Sequence, residues 1–188
     1  MRIHIVGAGL IGTSIALGLT KAGHQISLDD ASAENLAVAQ DLLGGEGVKS
    51  ETADLVVVAT PIGAVFTTIE SEFAINPKAA FIDIAGLKSE VLHQVENFPE
   101  LAKRYCGTHP MAGREISGPT GARADLFQGA TWILTPTSVT EPDVLDICEQ
   151  VLSELGAIKV LVGGDAHDKS ISAISHLPQI ASSLLAQN

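Results

Sequence analysis

The sequence predicts an α/β fold, a doubly wound and mostly parallel sheet, followed by the first helix of an α-helical domain. Three observations predict it. Short β-branched runs alternate with segments of helical period along most of the chain. A glycine-rich turn joins the first run to the first helical segment. The length of 188 residues, with 46% hydrophobic and 18% charged, is enough for one full domain with a sizeable core and the start of another.

Arg2–Val6 is a β-branched run ending at Gly7, and Leu10–Ala22 carries apolar residues at helical spacing until Gly23 stops it. Gln25–Leu28 reads as a second strand, Ser32–Leu43 as a helix and Asp54–Ala59 as a buried third strand. Pro61 sits where it can open a helix to about Phe73, and Ala79–Ile84 is a fourth buried strand. A helix from Ser89 to about Asn97 precedes the strand Arg104–Thr108. Beyond a glycine-containing loop come the strand Thr131–Thr135, a helix from about Glu141 to Leu155 and the strand Ile158–Val162. Gly163-Gly164 is the candidate hinge, dividing a dinucleotide-binding domain, 1–163, from a helical segment, 164–188. The apolar positions of that segment, including Ile171, Ile174, Leu177, Ile180 and Leu184, need a partner surface, either further helices or another subunit.

Composition excludes several classes of function. A net charge of −11, with no run of Lys or Arg, argues against nucleic acid and against an anionic membrane surface as partners. Cys106 and Cys148 are far apart and fit reduced thiols in a cytoplasmic protein. The apolar start is interrupted by Gly7, Gly9, Gly12 and Gly18 and closed by Lys21, so it reads neither as a leader nor as a membrane span. The six histidines show no helical i, i+4 pair that would suggest a metal site.

Gly7-Ala-Gly-Leu-Ile-Gly12 is G-x-G-x-x-G, a pattern whose meaning depends on context because glycines gather in many turns. Here it follows a strand, opens a helix and precedes a second strand ending in Asp29-Asp30, the context of a Rossmann-type nucleotide site. Gly7 suits the tight turn, Gly9 the approach of a pyrophosphate, and Gly12 close packing of helix on strand, with Leu10 and Ile11 in the helix's first turn. Asp29, 17 positions after Gly12, is placed to accept from the ribose hydroxyls, which favours NAD over NADP; alternatively both aspartates cap the helix near Ser32. Thr60-Pro61 and Ala85-Gly86 end the third and fourth strands at the edge where such sheets bind ligands, or are ordinary strand-to-helix turns. His109 follows the fifth strand at the same edge, where a loop histidine serves as base, turn residue or metal ligand.

Gly107-Thr-His-Pro-Met-Ala-Gly113, with Glu115, Ser117-Gly118, Leu126-Phe-Gln-Gly129 and Leu134-Thr-Pro136, resembles the prephenate and arogenate dehydrogenases. Ala166-His-Asp168 and Ser175-His-Leu-Pro178 look like a second motif of that family, so the resemblance covers essentially the whole chain. It implies NAD-dependent oxidative decarboxylation of a cyclohexadienyl acid in tyrosine biosynthesis, by a homodimer joined through carboxy-terminal helices. It also implies that His109 polarises the ring hydroxyl, that His176 lies near the substrate pocket, and that Glu115 belongs to an ionic network at its mouth. His167 and Asp168 read as helix-start and packing residues.

Three positions depart from the family pattern. Ala85-Gly-Leu-Lys88 replaces a Gly-Ser-Val-Lys type turn, removing the serine that supports the histidine, with Ser89 as the available substitute. Gln179 stands where many members carry a second histidine, which suits an arogenate-type enzyme. The sequence stops at Asn188, before the helical domain that in this family supplies the substrate-binding arginine; Arg114 and Arg123 are loop arginines that either bind anions or are simply solvated.

Overall fold

The computed structural model describes residues 1–45, 52–113 and 115–171. Seven strands form one sheet: β1 (Arg2–Val6), β2 (Gln25–Asp29), β3 (Leu55–Val58), β4 (Ala80–Asp83), β5 (Tyr105–Pro110), β6 (Thr131–Pro136) and β7 (Ile158–Leu161). The helices between and after them are α1 (Leu10–Lys21), α2 (Ala33–Leu42), α3 (Ile62–Ile75), α4 (Ser89–Glu96), α5 (Pro99–Arg104), α6 (Pro142–Glu154) and α7 (Gly164–Ile171). The spatial order is β2-β1-β3-β4-β5-β6-β7. All neighbouring strands are parallel except β5 and β6.

The central strands are buried on both faces, which is why they read as unbroken apolar runs rather than alternations. Leu55 and Val57 of β3 face a core shared with Ile15 and Leu19 of α1 and Val144, Cys148 and Val151 of α6. Val56 and Val58 face the opposite core, with Val65 and Ile69 of α3 and Val91, Leu92 and Val95 of α4. Successive strands are added on opposite sides of β1, β2 on one side and β3 on the other, so the carboxyl end of β1 opens a crevice at the edge where such sheets hold ligands.

Two elements depart from the sequence reading. The short helix α5 starts at Pro99, whose fixed φ suits a first helical position, and it delays β5 to Tyr105. β6 runs antiparallel because a connection without an α-helix, containing one 3₁₀ turn at Pro119–Gly121, leads back from β5; α6 then restores a parallel crossover to β7. Of the expected helical segment 164–188, α7 is described to Ile171; Ile174, Leu177, Ile180 and Leu184 lie outside the described residues. Among the described residues, no helix is long and apolar enough to cross a membrane.

Candidate active site

The glycine turn is made by backbone geometry. Gly7 has a φ of +112°, and its N–H donates to the Asp29 carbonyl at 2.7 Å. A Cβ there would collide with the Ala59 carbonyl, and one at Gly12 would collide with the Gly7 carbonyl. Gly9 differs, since a Cβ on it would meet nothing within 4 Å and would project into open space. Gly9 is also the N-cap of α1, where no side chain caps the helix and no acidic residue occupies the first turn, formed by Leu10, Ile11 and Gly12. The positive end of that helix is thus left to an external anion.

The turn opens into a cleft of about 830 Å³, lined by Gly7, Gly9, Asp29, Asp30, Ala31, Ser32, Thr60 and Pro61 among others. The structure separates the two aspartates that the sequence left together. Asp30 is a strut: its carboxylate accepts from Ala8 N at 2.6 Å and Ser32 N at 2.7 Å, tying the glycine turn to the start of α2. Asp29 is exposed at the end of β2, and its carboxylate accepts only from the Asp30 N–H, at 2.9 Å, among the described residues. The cap of α2 is Ser32, whose hydroxyl accepts from Asn35 N. The Thr60 hydroxyl oxygen is buried without a hydrogen-bond partner among the described residues, and Pro61 is the N-cap of α3. An uncapped helix end, a glycine with open space beside it, an exposed carboxylate and an orphaned hydroxyl on one cleft fit a dinucleotide.

The second part of the site lies further along the same edge. His109, half-buried on β5, places Nδ1 3.0 Å from Nε2 of the buried His167 on α7, with the rings edge to face at 5.2 Å. His167 Nδ1 lies 2.7 Å from an Asp168 carboxylate oxygen. Asp168 in turn accepts from the backbone N–H groups of Lys88, at 2.9 Å, and Ser89, at 2.8 Å. The substitute serine therefore does not take the role expected of it: its hydroxyl turns toward Asp165 at 3.3 Å, while its backbone holds Asp168. A Cβ placed on Gly86 would lie 3.6 Å from His109 Nε2, so the turn after β4 faces that nitrogen; Ala85 before it is buried, its N–H donating to Asp83 at 2.7 Å.

Beneath this chain is a charged group with no exposed surface. The Lys88 ammonium pairs with Asp83 and donates to the Thr108 carbonyl at 2.7 Å; both side chains are 0% exposed. Asp83 also accepts from the Tyr105 hydroxyl at 2.5 Å. Burial pushes the Lys88 ammonium down from its ordinary value against the pull of Asp83. Burial, then His167 and Lys88, push His109 down to about 4, so it is neutral at pH 7. Burial alone would raise the Asp168 carboxyl, but hydrogen bonds from Ser89 and His167 outweigh it and hold the group at about 2.

His167 and Asp168 are thus partners of His109 rather than the packing residues that sequence reasoning made them, and Lys88 and Asp83 were passed over altogether. The signal for the pair lay in the Ala166-His-Asp168 motif, and for Lys88 in the turn that lacks the family's serine. Glu115 is exposed in the loop after β5, without an ion pair among the described residues. Arg123 is exposed and paired with Asp125 at 2.8 Å, the solvated alternative. His176, Gln179 and Arg114 lie outside the described residues.

Comparison with known proteins gives this geometry a family. Over 97% of its length the chain is 36% identical to a probable prephenate dehydrogenase, NovF, of Streptomyces niveus, and covers 51% of that protein. It is 32% identical to a prephenate dehydrogenase of Bacillus subtilis, over 98% of this chain and 53% of the other. The chain therefore spans about half the length of these curated relatives. The crystal structure of Synechocystis arogenate dehydrogenase superposes with a TM-score of 0.89 at 32% identity, over 100% of this chain and 68% of that one. The prephenate dehydrogenase of A. aeolicus, solved with hydroxyphenyl propionate and NAD+, also gives 0.89, at 28% identity and the same coverage. The family model for the prephenate dehydrogenase nucleotide-binding domain matches residues 15–161, and the chain accordingly belongs to the prephenate dehydrogenase family, whose nucleotide-binding domain it carries.

Proposed function

We propose that this chain binds NAD and provides the base for oxidative decarboxylation of a cyclohexadienyl acid, prephenate or arogenate, in tyrosine biosynthesis. The observation that carries the proposal is His109: neutral at pH 7, with Nε2 facing Gly86 and unbonded among the described residues, on the sheet edge that also holds the glycine turn. In this reading Gly7, Gly9 and Gly12, with the backbone of Leu10 and Ile11, hold the pyrophosphate. Asp29 accepts from the adenosine ribose and repels a 2′-phosphate, while Thr60, Pro61, Ala85 and Gly86 line the path to the nicotinamide. Bound NAD supplies the hydride acceptor. His109 Nε2 accepts the proton of the ring hydroxyl as hydride leaves the carbinol carbon; loss of carbon dioxide makes the ring aromatic and draws the reaction forward.

His176, Gln179 and Glu115 belong to the substrate pocket in the same reading. Residues from 164 onward open a helical domain through which two subunits of a cytoplasmic enzyme pair. The test is NADH formation by the full-length protein with prephenate and with arogenate. His109→Asn is expected to lower kcat by on the order of 10²–10⁴-fold with NAD affinity unchanged. NAD binding without turnover of either acid would instead favour a nucleotide-sensing module.

A further inference from the structure

Resting on that reading, we infer that His167 and Asp168 are positioning residues that set the tautomer of His109. Ionised Asp168 only accepts, and two of its hydrogen bonds come from the fixed N–H groups of Lys88 and Ser89. His167 Nδ1, 2.7 Å from that carboxylate, must therefore carry a hydrogen and donate it. With Nδ1 donating to the carboxylate, His167 Nε2 is the atom left to accept from His109 Nδ1 at 3.0 Å. That places the single proton of neutral His109 on Nδ1 and leaves Nε2 bare beside Gly86. Only this tautomer can take a proton from a substrate hydroxyl at Nε2.

The orientation is locked from both sides. His167 is 1% exposed, and its backbone N–H is held by the Gly163 carbonyl at 2.9 Å. Under His109, the buried Lys88 ammonium, paired with Asp83, donates to the carbonyl of the preceding residue, Thr108, at 2.7 Å. The charged and titratable groups around the two rings are then Asp168 and Asp165 from α7, Asp83 at the end of β4 and Lys88 from the turn after it. The logic is that of a histidine base oriented by a carboxylate, lengthened by one imidazole.

Two measurements test it. Nitrogen-labelled histidine NMR of the ligand-free protein at neutral pH should show His109 as the Nδ1–H tautomer, and His167→Phe should return it to Nε2–H, the form preferred in water. This readout does not depend on turnover, so it stands or falls separately from the proposed reaction. In the full-length enzyme, His167→Phe and Asp168→Asn should each lower kcat by on the order of 10²-fold or more, with NAD affinity and KM within about twofold. His167→Gln, whose amide oxygen can still accept from His109 Nδ1, should recover most of the loss. An Nε2–H tautomer in the wild type overturns the inference, as do His167→Phe and Asp168→Asn enzymes that keep wild-type kcat while His109→Asn loses it.

Discussion

The cofactor cleft and the His109 cluster share one edge of one sheet, yet they are built from different material. The cleft is a backbone structure, shaped by where side chains are missing at Gly7, Gly9 and Gly12, and much of it is encoded within the first 30 residues. The cluster is a side-chain structure, assembled from the turn after β4, from β5 and from α7, in which each charge is stabilised by the next. A backbone site tolerates change wherever a Cβ has room. A buried polar network tolerates little, because removing one member leaves its partners desolvated and unpaired.

Substitutions can break or sharpen this contrast. The largest effect on folding is expected from Lys88→Met, which leaves the fully buried Asp83 with the Tyr105 hydroxyl and no cation. It should destabilise the protein by about 3–5 kcal/mol in urea unfolding; a loss below about 1 kcal/mol would mean the cluster is not a mutually dependent network. Next come two alanines in the cleft. Gly12→Ala drives a Cβ into the Gly7 carbonyl and should cost about 1–3 kcal/mol together with NAD affinity. Gly9→Ala should leave stability within about 0.5 kcal/mol but weaken NAD binding by about tenfold or more, because its Cβ meets no protein atom and enters the space proposed for the pyrophosphate. Equal stability losses at the two glycines would break the backbone reading.

Smaller still is Asp29→Asn, which removes a carboxylate that supports no other element. It should weaken NAD binding by about 1 kcal/mol and narrow the preference over NADP, with thermal stability unchanged. A further effect is one of pH. Folding holds His109 at about 4, whereas an unfolded histidine titrates near 6.5, so between these values the unfolded chain binds the extra proton. Stability should therefore be insensitive to this group above pH 6.5 and fall as pH drops toward 4, with a shallower fall in His109→Asn. Asp168, held at about 2, adds its own loss below the ordinary carboxylate range, since its hydrogen bonds favour the charged form.

All seven strands were legible in the sequence: β3 and β4, buried on both faces, are apolar runs whatever they pair with, and the others lie where short runs alternate with helical segments. The helix α5 was not: six residues are too few to show a period, and only Pro99 marks its start. The reversal of β6 was hidden for a related reason, since strand direction depends on how the connection returns and not on the strand's composition. Within the site, the glycine turn and His109 were legible from spacing and position. The different duties of Asp29 and Asp30 were not, because adjacent carboxylates differ only in which neighbour each one meets.

The sequence by itself determined the layered sheet, the nucleotide turn and a histidine at the binding edge. These depend on periodicity and on glycines at fixed spacing, which are local properties of the chain. Tertiary structure alone decided what stands behind that histidine. His167 lies 58 positions from His109, and Asp168 is held by backbone 79 and 80 positions away. Nothing local links such residues: a chain of side-chain hydrogen bonds has no period, and its geometry exists only once the sheet and α7 have brought the three segments together.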